Sequence, residues 1–163
     1  MLAHKASPAS AIASIIIPVR NAELYLNDCI QSILDQTVRP LQICAHDDSS
    51  SDASLSMLLQ WQRRVSDEQR EVSMVVTSGS TCRGVGGARN AAIASSTAEW
   101  LCFLDADDIM QPNRIAVQVH YFHDPTAALL SSQHDPAPAR GTRPTRSCCS
   151  HHYYGWKFFA PSY

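Results

Sequence analysis

The chain has 163 residues, with 13 Lys and Arg against 15 Asp and Glu and a formal charge of -2. That length suits one domain that buries roughly 68–70% of its unfolded surface, provided most of the chain joins a single core. The near-neutral balance excludes the broad basic footprint of nonspecific nucleic-acid binding, so a polyanion is not the expected partner.

Residues 1–11 read as an N-terminal extension. They carry one early Lys and lead into a short apolar run, too short for a membrane span and without the order of a signal peptide, so the cytoplasm is the default expectation. Ala13 to Pro18, ASIIIP, is β-branched and continuous, which suits a strand buried on both faces of a parallel sheet and ended by Pro18. Asn21 is placed to cap a helix over about 22–36, where Leu26, Ile30, Ile33 and Leu34 recur at helical spacing. A turn through Thr37 to Pro40 leads to a second strand, Leu41 to His46, followed at once by Asp47, Asp48 and three serines.

Ser51 or Asp52 then caps a second helix with Leu55, Leu58, Leu59 and Val65 inward, which runs into the charged stretch Arg63 to Glu71. Val72 to Val76 forms a third strand, and a Gly/Ser-rich loop from Ser78 to Gly87 delivers Ala88 to Ile93 into a short helix. Trp100 to Leu104 is a last buried strand that runs directly into Asp105, Asp107 and Asp108. Pro112 opens a further helix with Ile115, Val119 and Phe122 inward.

Strands alternating with helices predict an open, mostly parallel α/β sheet, whose ligands bind outside the carboxyl ends of the strands. From 123 to 163 the character changes: five of the nine prolines fall there and no period persists, which reads as a disordered tail. Cys148, Cys149, His151 and His152 fit no closed zinc spacing. The six cysteines form no CxxC pair, and the first four lie in or near apolar stretches, so a reduced chain is the simpler reading, with disulfides the alternative that an even count leaves open.

Three clusters fall on the carboxyl edge. The carboxylates of the acidic loop repel one another; a pair ~4 Å apart costs about 1 kcal/mol in water and about 4 at an effective dielectric of 20, and a cation would relieve it. A hard divalent ion held there could also take the oxygens of a diphosphate, although an acidic loop before a helix is equally what capping would use. Asp47 and Asp48 could accept from a base imide or a ribose hydroxyl, or simply serve a turn and cap. The glycines before Arg89 offer backbone N–H groups and a guanidinium to a phosphate, yet the loop is neither a P-loop nor GxGxxG and does not follow the first strand, which counts against a Rossmann dinucleotide binder.

SIIIPVRN (14–21), SILDQT (32–37), HDDSSSD (46–52), GARNAAI (87–93) and FLDADD (103–108), in this order, resemble the family 2 glycosyltransferases of the GT-A fold, most of all the N-acetylglucosaminyltransferase-like proteins related to the β-1,3-N-acetylglucosaminyltransferases. The resemblance covers roughly residues 12–122, the expected donor-binding domain. It implies a UDP-sugar site in which Pro18 and Arg20 lie at the nucleotide end of the first strand, Asp48 faces uracil and Arg89 approaches the nucleotide or diphosphate. It further implies that Asp105 faces the ribose, and that Asp107 holds Mn2+ or Mg2+ bridging the diphosphate. The expected reaction is inverting transfer, N-acetylglucosamine first, from a UDP donor to a hydroxyl acceptor. Arg20 stands where the family often has Tyr, and HDDSSSD lacks the Gly of VDDGSTD. No residue after about His123 matches the acceptor half with its catalytic base, so the competing expectation is a truncated, noncatalytic product that at most binds UDP.

Overall fold

The protein is described by a computed structural model over residues 11–67 and 71–123. The expectations for the tail, including its Cys and His pairs, lie outside the described residues. Four parallel strands, β1 (Ala13–Val19), β2 (Leu41–Asp47), β3 (Val72–Ser78) and β4 (Trp100–Phe103), alternate with helices α1 (Leu26–Leu34), α2 (Ser54–Asp67), α3 (Gly84–Ile93) and α4 (Arg114–His123). The sheet order is β3-β2-β1-β4, so the chain steps outward from β1 to β3 and then returns to the other side of β1. This is the expected mostly parallel α/β arrangement.

Covered faces explain the β-branched run. Ile15, Ile16 and Ile17 are all fully buried, although successive side chains of a strand point to opposite faces. Ile15, Ile17 and Val19 join the main core with Leu26, Ile30, Ile33, Leu58, Val65 and Ile115 from α1, α2 and α4. Ile16 joins a second, smaller core with Cys44, Ala92 and Leu101, roofed among the described residues by α3.

Several boundaries differ from the sequence expectation for identifiable reasons. Pro18 does not end β1, which continues to Val19. Residues of a parallel strand bond alternately to their two neighbours. Ile16 accepts from Leu104 on the β4 side and Val19 accepts from Asp48 on the β2 side, so the donor that Pro18 lacks would face β4. There the ladder has already ended at the pair Ile16 and Phe103. Asn21 does not cap α1, which begins only at Leu26; with φ 49° it turns toward the second loop, its Oδ1 accepting the Ser51 N–H.

On α2 the buried stripe is Ser54, Leu58, Trp61 and Val65, while Leu59 is exposed. The small Ser54 allows the segment after β1 to approach, its Oγ accepting the Ala22 N–H at 2.8 Å, and the Trp61 indole donates to Asn27 Oδ1 at 2.9 Å. Asp52 does serve the helix start, accepting the Ser54 N–H. Helix α3 begins four residues earlier than expected, at Gly84, and Pro112 lies two residues ahead of α4.

Cys29, Cys44 and Cys102 are buried, with free thiols among the described residues. Burial pushes the Cys29 thiol up to about 12, and the nearby charges of Asp108, Asp107 and Asp105 push in the same direction. A folded-state value above the ordinary one near 9 means stability that is complete below that pH and is lost as the pH rises toward 12. Denaturant midpoints should therefore fall between pH 8.5 and 10.5, and by less in Cys29→Ala once its cavity cost is subtracted at pH 7; equal slopes would contradict the assignment.

Candidate functional site

The carboxyl ends of β1 and β4 flank the point where the strand order reverses, the place where open α/β sheets take ligands. A cleft of about 350 Å³ opens there. Its walls come from Pro18–Ala22 at and beyond the end of β1, Asp48 after β2, Gly84, Val85 and Ala88 of α3, and Asp105, Ala106 and Asp107 after β4. Five of the six residues expected at a donor site, Pro18, Arg20, Asp48, Asp105 and Asp107, therefore line one cleft. The sixth, Arg89, is not among the lining residues and donates from Nη2 to Asp105 Oδ1 at 2.6 Å.

The acidic loop is fixed from below by α1. The Cys29 thiol points at the Asp105 carbonyl, Ser32 Oγ accepts the Met110 N–H at 2.9 Å, and Gln36 Nε2 donates to the Gln111 carbonyl at 2.7 Å. Gln36 Oε1 also accepts the Ile115 N–H, so one buried amide joins the end of α1 to the start of α4. Burial of Ser32 and Gln36 is the physical reason: backbone polar groups of a loop lying against a core need partners, and these side chains provide them. Asp107 remains exposed at the tip, with Asp105 half-exposed.

Asp48 is only 2% exposed and has both oxygens engaged. Oδ1 accepts the Arg83 N–H at 2.7 Å, Oδ2 accepts the Gly84 N–H at 2.8 Å, and the Cys82 thiol donates to Oδ2 at 3.3 Å. Arg83 itself gives α3 no side-chain cap, so the cap is supplied from β2, 35 residues earlier for the Arg83 bond. The N–H groups that the glycine loop offered to a phosphate in the sequence reading are thus already given to a carboxylate, a favourable partner for the positive end of a helix. Two glycines are required here. Gly84 takes φ 74°, and a Cβ at Gly87 would meet the Arg83 Cβ at 2.4 Å.

Tyr25, Asn21 and Val85 also line the cleft, and the sequence assigned none of them to the site, Asn21 being read as a helix cap. Nothing in residue type distinguishes them; their place follows from the bend after β1 and from α3 starting at Gly84. His46 lies below Asp48 on β2, buried, with Nδ1 2.8 Å from Thr77 Oγ1 and Nε2 unpartnered. Among the described residues no three His, Cys, Asp or Glu side chains are grouped closely enough to hold a metal ion by themselves, and no helix is long and apolar enough to cross a membrane.

Residues 14–158 match the family described as glycosyl transferase family 2. A Haemophilus influenzae protein named as an uncharacterized glycosyltransferase is 31% identical over 110 residues, which cover 68% of this chain and 42% of that protein. The Escherichia coli UDP-Glc:alpha-D-GlcNAc-diphosphoundecaprenol beta-1,3-glucosyltransferase WfaP is 28% identical over 110 residues, 68% of this chain and 41% of the enzyme. The chain thus spans about two fifths of the length of these relatives.

Staphylococcus aureus TarS 1–349, solved with UDP-GlcNAc, superposes with a TM-score of 0.57 at 24% identity over 68% of this chain and 32% of that one. A Pyrobaculum calidifontis mannosyltransferase, solved with GDP-Man and Mn2+, gives 0.62 at 22% identity over 74% and 35%. Both likenesses show the fold. With a parallel sheet of this order, a cleft at its reversal point and a family match over most of its length, the chain belongs to glycosyl transferase family 2.

Proposed function

We propose that the chain forms the donor-binding half of a glycosyltransferase that moves a sugar, N-acetylglucosamine first, from a UDP-sugar to a hydroxyl acceptor with inversion and with help from Mn2+ or Mg2+. The observation that carries this reading is the convergence of Pro18, Arg20, Asp48, Asp105 and Asp107 on one cleft. Its volume, about 350 Å³, lies in the range of small-molecule sites. The UDP-GlcNAc and GDP-Man complexes of the two structural neighbours support a nucleotide-sugar, and the second supports a divalent ion.

The donor set fits a hard cation. Asp107 offers its carboxylate in the cleft while Asp105 is turned to the ribose; a single carboxylate is too little for a closed cage, which suits an ion that takes its remaining ligands from phosphates and water. When bound there, such an ion would offset charge on the departing diphosphate. The chain's own residues do the rest. Asp107 presents its carboxylate from the exposed tip, α1 holds the loop at fixed height, and Pro18 and Arg20 line the nucleotide end of the cleft. Asp48 can turn an oxygen to a uracil imide only by sharing it with the start of α3.

Calorimetry tests the reading: saturable UDP-GlcNAc binding that weakens severalfold without Mn2+ and is weaker for GDP-Man is expected, and no heat with any UDP-sugar would end it. A second reading, binding without turnover, is favoured by one observation. The carboxylates among the described cleft residues are Asp48, Asp105 and Asp107; the first two are engaged by α3 and Arg89, and the third is the one this reading gives to the cation, which leaves none to activate the acceptor hydroxyl. Multiple turnovers by the purified chain on an acceptor panel would exclude it.

A further inference from the structure

We propose that the mouth of the cleft is a docking surface for this chain's own carboxyl-terminal segment. The arginines of RGTRPTR (140–146) meet the acidic loop and the aromatic run YYGWKFF (153–159) meets an apolar rim, so that segment and donor compete for one place. The competition, though not the docking itself, rests on the UDP-sugar reading.

Three of the large apolar side chains exposed among the described residues border this mouth. Val85, 58% exposed, lines the cleft; Leu24, 79% exposed, stands in the turn between the lining residues Ala22 and Tyr25; Ile109, 45% exposed, follows the acidic loop. A single exposed apolar residue needs no explanation, but a group of them around one concave site marks a contact surface. The acidic loop lies among them, with Asp107 exposed at its tip. A fitting partner therefore carries positive charge and large apolar side chains together.

The remainder of the chain has that chemistry. Residues 11–123 hold thirteen carboxylates against eight Lys and Arg, whereas residues 124–163 hold two against four. Arg140, Arg143 and Arg146 recur at every third position with no carboxylate among them, and a guanidinium can grip a carboxylate with two prongs. Five of the seven residues 153–159 are aromatic, the type enriched at interfaces. The family match runs to residue 158, past the end of α4 at His123, which puts this segment within the matched domain. The stretch from His123 to Arg140 can span up to about 60 Å, farther than a domain of this size is wide, so the segment reaches the mouth from wherever α4 ends. Tethering supplies an effective concentration on the order of 1 mM, so a contact too weak to hold a separate peptide suffices. The outer edge of β4 is a poorer seat, because Arg114 Nη2 already donates to the Phe103 carbonyl there at 3.0 Å.

The test is amide hydrogen exchange of the full chain, together with calorimetry of UDP in the presence of Mn2+. The wild type is compared with the triple variant Arg140→Ser, Arg143→Ser, Arg146→Ser and with a second triple variant, Trp156→Ser, Phe158→Ser, Phe159→Ser; thermal melting like that of the wild type establishes that each is folded. Amides of residues 83–86 and 107–110 are expected to exchange about threefold or more faster in either variant. Salt at about 1 M should bring the wild type to the rate of the arginine variant, since charges are then screened beyond about 3 Å. UDP should bind the arginine variant about threefold to tenfold more tightly than the wild type, because a tethered competitor has gone. The sign is decisive: mere loss of three positive charges would weaken the binding of an anion. Equal exchange in the wild type and both variants overturns the docking. Protection that grows with protein concentration from about 5 to about 200 µM gives the surface to a second copy and overturns it as well. If exchange quickens but UDP binds no more tightly, the competition falls and the UDP-sugar reading stands; if exchange quickens and UDP binds none of the three proteins, the UDP-sugar reading falls and the docking stands.

Discussion

Asp48→Ala is expected to destabilise the folded chain by about 1–3 kcal/mol, a substantial part of the roughly 5–15 kcal/mol that holds a domain together. The carboxylate accepts from Arg83, Gly84 and Cys82 at once, and alanine leaves the start of α3 without an acceptor. Loss of a helix cap alone costs about 0.5–2 kcal/mol, and the negative charge beside the helix start adds to it. Asp48→Asn should fall between, since it keeps one acceptor but turns an amide toward the other N–H. Urea midpoints measure the loss, and amide exchange localises it: Arg83, Gly84 and the next turn of α3 should exchange faster while β1 and β2 stay protected at low denaturant. Unchanged exchange in α3 would show that the cap is not what Asp48 provides.

The second large effect concerns chemistry and leaves the fold alone. Asp107 is exposed at the loop tip, so Asp107→Ala should change the unfolding free energy measured in urea by no more than about 0.5 kcal/mol. On the proposed reading it removes the carboxylate best placed to hold a divalent ion, and Lewis-acid help of that kind is worth several kcal/mol. Mn2+-dependent binding of UDP-sugar, and transfer wherever an acceptor is found, should fall by about 10²-fold or more. A variant that keeps its Mn2+ response would move the metal role to another residue.

Much of this was legible from residue order because the strong signals are local. A β-branched run such as SIIIP can be satisfied only between covered faces, and the carboxylates after two strands had to reach the carboxyl edge of a parallel sheet. What the sequence could not reveal is pairing across the chain. Sequence order assigns Asp48 and Arg89 each to a ligand, and the structure shows each with a protein partner, because the helix start near one and the carboxylate near the other lie 35 and 16 residues away in sequence. The stripe on α2 was misread for the same reason: Leu55 and Leu59 fit the period as well as Trp61 does, and only the position of Asn27 on α1 and the approach of Ala22 decide which face turns inward. Pro18 misled because its missing donor matters only if a neighbour is there to receive it.

The borrowed caps also set an order in time. The Asp48 carboxylate receives the N–H groups that open α3, Gln36 receives the Ile115 N–H of α4, and Glu23 receives the Ala53 N–H just before α2. In all three the acceptor precedes its helix in the chain, by 35, 79 and 30 positions. A ribosome releases the amino end first, at about 5–20 residues per second, so each acceptor is already outside when its helix emerges. These helices can be completed in the order in which they are made, and a fragment that began after Asp48 would carry α3 and α4 without the residues that finish them.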